Sequence, residues 1–110
     1  MNYPNLSLKD ERLSEAFAKL HFALATARAK EEAFLRVDFL CGKEQRARLR
    51  GAVLSVLRER KRSGKILFFI SSEDFFSQKP EAEFILNKYP SLREDLALLD
   101  TESGYVLVKL

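Results

Sequence analysis

Residues 34–71 constrain this chain most, because they read as strand, turn, helix and strand in immediate succession. Phe34-Leu35-Arg36-Val37-Asp38-Phe39-Leu40 alternates as a strand does. Leu35, Val37 and Phe39 share one face, and Phe34, Arg36, Asp38 and Leu40 share the other. Cys41-Gly42-Lys43 breaks the strand, since glycine reaches backbone angles that other residues avoid. Leu49, Ala52, Val53, Val56 and Leu57 then recur at helical spacing, which predicts a helix over about residues 44–62 with those side chains inward. Ser63-Gly64 ends it. Ile66-Leu67-Phe68-Phe69-Ile70 is a continuous apolar run, the pattern of a strand buried on both faces. Two strands joined by a helix pair in parallel with a right-handed crossover. The expectation is one mixed sheet with residues 34–40 and 66–70 at its centre.

The flanking segments supply the rest of an α/β domain. Asn5-Leu6-Ser7-Leu8 is a candidate first strand, and Asp10 a candidate cap for the helix after it. Leu13, Ala16, Phe17, Leu20, Leu24 and Ala27 form a stripe at spacings of three and four, predicting a helix over about residues 11–31. Ser71-Ser72-Glu73-Asp74 leaves the third strand, and Phe75-Phe76 lays a loop on the core. Pro80 suits the first position of a helix over residues 80–88, which Tyr89-Pro90 ends, with a further helical turn at Ser91. Residues 96–99 are ambiguous, residues 100–104 read as a turn, and residues 105–110 read as a strand. The predicted core comprises Leu20, Leu24, Val37, Phe39, Val53, Val56, Leu57, Phe68 and Ile70. Gly51 lowers helix propensity, and its missing side chain is expected to let the helix approach the sheet closely. The fold class is α/β, a two-layer or sandwich-like β-α-β-α-β-(α)-β arrangement in a single domain of 110 residues.

Several function classes are disfavoured. Cys41 is the only cysteine, so no internal disulfide forms, and one Cys with one His does not make a zinc site. No cofactor motif is visible. No apolar run of about 18 residues marks a membrane span, and no secretory signal is visible, so a cytoplasmic protein is expected.

Charge is the positive signal. Residues 43–65 hold nine basic and two acidic residues, a net +7, while the rest of the chain nets −4. Lys43, Arg46, Arg50, Arg58, Lys61 and Arg62 are the candidate nucleic-acid-binding residues. Arg50, Arg58, Lys61 and Arg62, with Arg48, are expected to point away from the buried helix face. Cations there would neutralise phosphates without reading sequence. The competing reading is a solvated face whose last-turn cations complement the helix dipole. Phe22 projects opposite the first helix's stripe, and with Phe75 and Phe76 it is a candidate for protein contact, including a homodimer. His21 flanks that stripe and is expected to be packed or solvated rather than catalytic.

The order of elements resembles the small MutS-related (Smr) domain. The residues that carry the resemblance are Leu6-Ser7-Leu8 with the helix after it, Leu35 through Lys43, Leu49-Arg50-Gly51-Ala52-Val53, and the ending from Gly104 to Leu110. Residues 66–93 look like a variant of that domain with an inserted helix. The resemblance implies a fold similar to the C-terminal domain of translation initiation factor 3, and DNA or RNA as partner. It departs at both family motifs. Ser7, Lys9 and Asp10 stand where Asp, His and Gly belong, and the His-Gly-Lys-Gly loop is Cys41-Gly42-Lys43-Glu44. Without either motif histidine, the resemblance implies binding rather than cutting. A residual nuclease is the minority reading, with Asp38, Cys41 and Lys43 near its cleft and Lys43 lowering the thiol pKa. A protein-interaction or self-assembly module without a nucleic-acid role is the alternative.

Overall fold

A computed structural model of the chain describes residues 3–94 and 104–110. The expectations for residues 96–103 lie outside the described residues. The elements in chain order are β1 (Asn5–Leu8), α1 (Leu13–Ala29), β2 (Phe34–Phe39), α2 (Lys43–Arg62), β3 (Phe68–Ser71), α3 (Ser72–Phe76), α4 (Pro80–Lys88), a 3-10 turn (Pro90–Glu94) and β4 (Tyr105–Lys109). They build an α/β fold around one mixed sheet of strand order β1-β2-β4-β3. β1 runs parallel to β2, with Leu6 opposite Val37. β4 runs antiparallel to both neighbours, setting Val106 opposite Val37 and Leu107 opposite Ile70.

This order corrects one expectation. β2 is central, but β3 is an edge strand, because β4 occupies the place beside β2. The apolar run 66–70 is therefore not a strand buried on both faces. Ile66 is buried ahead of β3, Phe68 and Phe69 are half-buried, and Leu67 is 63% exposed. β2 and β3 still run in the same direction, since each is antiparallel to β4. The helix between them therefore steps across two strand spacings, roughly 10 Å, and lies over the middle of the sheet.

The two sheet faces are covered differently. On one, Leu35, Val37 and Phe39 of β2 and Val106 and Val108 of β4 pack with Leu20 and Leu24 of α1 and Leu49, Val53 and Leu57 of α2. On the other, Phe34, Ile70, Tyr105 and Leu107 pack with Ala82 and Ile85 of α4 and Leu92 of the 3-10 turn. The result has three layers over β2, β4 and β3. Of the predicted core, Val56 and Phe68 are half-buried and the other seven are buried. Arg36 and Asp38 lie on the second face of central β2, not at an edge. Arg36 Nε donates to Asp38 Oδ1 at 2.7 Å, and the guanidinium sits 5.0 Å from the Tyr105 ring centroid. Asn5 Nδ2 donates to the other Asp38 oxygen at 3.3 Å. Such pairs cost desolvation, and removing one partner strands the other charge.

Helix ends follow local chemistry, with three differences from expectation. α1 starts at Leu13 with Arg12 at the N-cap position, so Asp10 lies too early to cap it. The predicted loop after β3 is the short helix α3, in which Asp74 Oδ2 accepts from Ser71 N–H at 3.2 Å, the return half of a capping box. Gly51 faces solvent, and a Cβ built there meets nothing within 4 Å, so it serves no close approach. Two substitutions check this orientation of α2. Leu57→Ala should cost about 2–5 kcal/mol. Gly51→Ala should add about 0.5–1 kcal/mol. Urea unfolding measures both, and a destabilised Gly51→Ala would mean that α2 is rotated.

Candidate nucleic-acid interface

The basic helix is held at both ends by the local sequence. Gly42 occupies its N-cap in extended backbone, leaving Lys43 as an exposed first residue. At the other end Gly64 takes a φ of 77°, where a side chain would be strained. Gly64 N–H donates to Lys61 O at 3.1 Å and Lys65 N–H to Arg60 O at 2.8 Å, the two bonds of a Schellman stop. That stop fixes Ser63 and Lys65 beside the last turn.

The six predicted cations divide into two groups. Lys43, Arg58, Lys61 and Arg62 are exposed. The first three have no carboxylate partner among the described residues, and Arg62 lies 3.4 Å from Glu59 within its own helix. Arg46 and Arg50 are turned into the protein. Arg46 Nη2 donates to Cys41 O at 3.2 Å. Arg50 is not solvent-facing as expected. It is half-buried and reaches Glu73 of α3, just past the carboxyl end of β3, with Nη1 2.5 Å from Oε1. The physical reason is angular position, since Arg50 precedes Val53 by three residues and Leu57 by seven and so borders the inward face of α2.

A concavity lies elsewhere on α2, where its last turns pass α1. It measures about 590 Å³. Its apolar wall comes from Phe17 and Val56, with Ser55 and Ser63 beside them. Arg58, Arg60, Arg62 and Lys65 supply positive charge, and Glu59 is the one carboxylate among them. His21 closes the α1 side, where Arg60 Nη2 donates to His21 Nδ1 at 2.7 Å. A guanidinium only donates, so His21 Nδ1 is the acceptor in this contact. Arg60 Nε is buried and has no hydrogen-bond partner among the described residues. Arg60 was absent from the predicted site, yet the signal was there. It stands three, four and seven residues after Leu57, Val56 and Val53, so it borders the inward face. His21 follows Phe17 by four residues in the same way and is exposed rather than packed.

The carboxyl ends of the parallel strands form a second candidate region, with Cys41, Gly42 and Lys43 after β2 and Ser72, Glu73 and Asp74 after β3. Burial pushes the Cys41 thiol above its ordinary pKa, and Asp10 adds to this while Arg46 opposes it. The expected activation by Lys43 is therefore corrected, because less thiolate is present than in a free cysteine. The hydrogen bond from Arg50 holds the Glu73 carboxyl below the usual carboxylate range. Burial alone would raise Asp74, but hydrogen bonds from Lys79 and Ser71 outweigh it and hold it low. Among the described residues, no three His, Cys, Asp or Glu side chains gather as a metal site. No helix of the described residues is long and apolar enough to cross a membrane. Comparison of the chain with protein-family models, curated proteins and solved structures finds no match.

The two depressed carboxyls give a pH prediction. A carboxyl whose folded pKa lies below its unfolded value contributes stability above the unfolded pKa and loses it as pH falls through the folded one. Wild type should therefore lose stability on acidification below about pH 5. A Glu73→Gln/Asp74→Asn variant should be less stable at neutral pH and lose less over the acid range. Urea midpoints across that range measure both, and parallel profiles for the two proteins would contradict the assignment.

Proposed function

We propose that this chain is a nucleic-acid-binding module that grips phosphates through the layer formed by α1 and α2. One observation carries the reading, the separation of charge across the sheet. α2 holds eight basic and two acidic residues. On the opposite side, α3 and α4 together hold four acidic residues and one basic. The apolar side of α2 is occupied by the core, so its exposed cations are available to a polyanion. Such a single-sign surface raises local polyanion concentration and speeds encounter. The proposal takes the module to be of the small MutS-related type, with a fold similar to the C-terminal domain of translation initiation factor 3. It takes the setting to be cytoplasmic and the activity to be binding without cleavage. The raised Cys41 thiol favours that last point. The self-assembly alternative has exposed apolar side chains in its favour, Phe22 on α1, Phe84 on α4 and Leu67 ahead of the edge strand β3.

Fluorescence anisotropy with labelled DNA and RNA, single- and double-stranded, at two salt concentrations tests the proposal. Affinity should fall steeply with salt, because each neutralised phosphate releases condensed counterions. Replacing Lys43, Arg58 and Lys61 together by Glu should leave folding intact, since all three are exposed. Arg50 is left alone because its loss would strand Glu73. The triple change should weaken binding to every sequence alike and lower the log–log salt slope by about 2 on a single strand. Absence of salt-sensitive binding at micromolar protein would overturn the proposal in favour of self-assembly.

A further inference from the structure

We infer that the cleft between α1 and the last turns of α2 receives one unpaired nucleotide, so that the partner is a single strand rather than a duplex. This rests on the phosphate-binding reading and names its substrate class. The cleft's volume of about 590 Å³ lies within the range of small-molecule sites, about 300–1,000 Å³. Its chemistry is divided as a nucleotide's is. An aromatic ring and Val56 offer a flat base an apolar wall, and the arginines beside them offer a phosphate its donors. Glu59 offsets one of those charges, that of Arg62 3.4 Å away, and leaves Arg58, Arg60 and Lys65. The last turn of a helix carries the negative end of the dipole, which disfavours an anion by itself. Arg58, Arg60 and Lys65 together outweigh about half a charge.

Arg60 supports a binding role over a merely structural one. Its guanidinium is tethered to His21 through Nη2, so it is held in place before any ligand arrives. Its buried Nε makes no hydrogen bond among the described residues, so one donor of this cleft-lining side chain is unmatched. The preference for a single strand follows from the aromatic wall. Within a duplex the base faces are stacked on one another, and only phosphates and groove edges are offered. An unstacked base presents its face, and stacking on an aromatic side chain tolerates any sequence because every base has such a face.

The test uses the full chain in anisotropy titrations with a single-stranded decamer and a hairpin duplex closed by a non-nucleotide linker, at one salt concentration. Phe17→Leu removes the aromatic ring and keeps an apolar side chain. Ser55→Leu narrows the cleft from an exposed helix position without changing charge. Thermal unfolding checks that each variant folds. Each should bind the single strand about tenfold more weakly, the size of one lost base–aromatic stack, and bind the hairpin as wild type does. If Phe17→Leu fails to fold, Ser55→Leu alone decides. Unchanged single-strand affinity in the folded variants would overturn the inference and leave the phosphate-binding reading standing. Equal losses on single strand and hairpin would also overturn it, because the cleft would then contact phosphates only. Binding of neither probe by wild type would overturn both.

Discussion

The structure depends on β4 running between β2 and β3. Each of its backbone edges is paired, and its side chains feed both cores. Val106 and Val108 close the core under α1 and α2. Tyr105 and Leu107 close the core under α4. Removing that strand would separate β3 from the rest of the sheet and open both cores together. Its position also explains the placement of α2. A crossover from β2 to β3 that must clear an intervening strand lies over the sheet's middle, where Leu49, Val53 and Leu57 are buried at the spacing of successive turns.

From that placement the electrostatic asymmetry follows. With one side of α2 committed to Val106, Val108 and Phe39, its charged residues have only the rim and the outer surface to occupy. The acidic residues of α3 and α4 lie on the far layer, behind a sheet that cations on α2 do not cross. Arg50 is the exception, and it reaches Glu73 past the carboxyl end of β3. That contact ties α2 to α3 at the sheet's carboxyl end. The free positive surface is thereby shifted toward the outer surface and toward α1, where His21 steadies Arg60.

The sequence made the elements legible, and much less of their arrangement. The stripe from Leu13 to Ala27 and the alternation from Phe34 to Phe39 follow from local geometry, so α1 and β2 match expectation to within two residues at each end. Strand order does not follow from local geometry. Nothing in Tyr105-Val106-Leu107-Val108 says which two strands it separates, and a run such as Ile66–Ile70 looks equally apolar at a centre or at an edge. Val56 was placed with the core because it shares a helix face with Val53 and Leu57, but it lies toward α1 and the cleft rather than toward the sheet. The candidate site was legible as composition. Arg58 and Arg62 are exposed because helical period turns them away from Leu49, Val53 and Leu57, whereas Lys43 and Lys61 are exposed in the first and last turns of the helix. The withdrawal of Arg50 depended on a partner 23 residues away in a short helix that sequence period alone did not reveal. Arg60 and His21 belong to different helices, and only the crossover geometry brings them to 2.7 Å.

Mapping the interface by amide chemical shifts during titration with a single-stranded oligonucleotide is the most direct test of where this surface lies. Perturbations should gather on Phe17, His21 and residues 55–65, with a smaller set around Lys43, and with α4 and the second-face residues of β4 unmoved. Perturbations centred on Ser72, Glu73 and Asp74 of α3, or on α4, would contradict an interface on the helix layer.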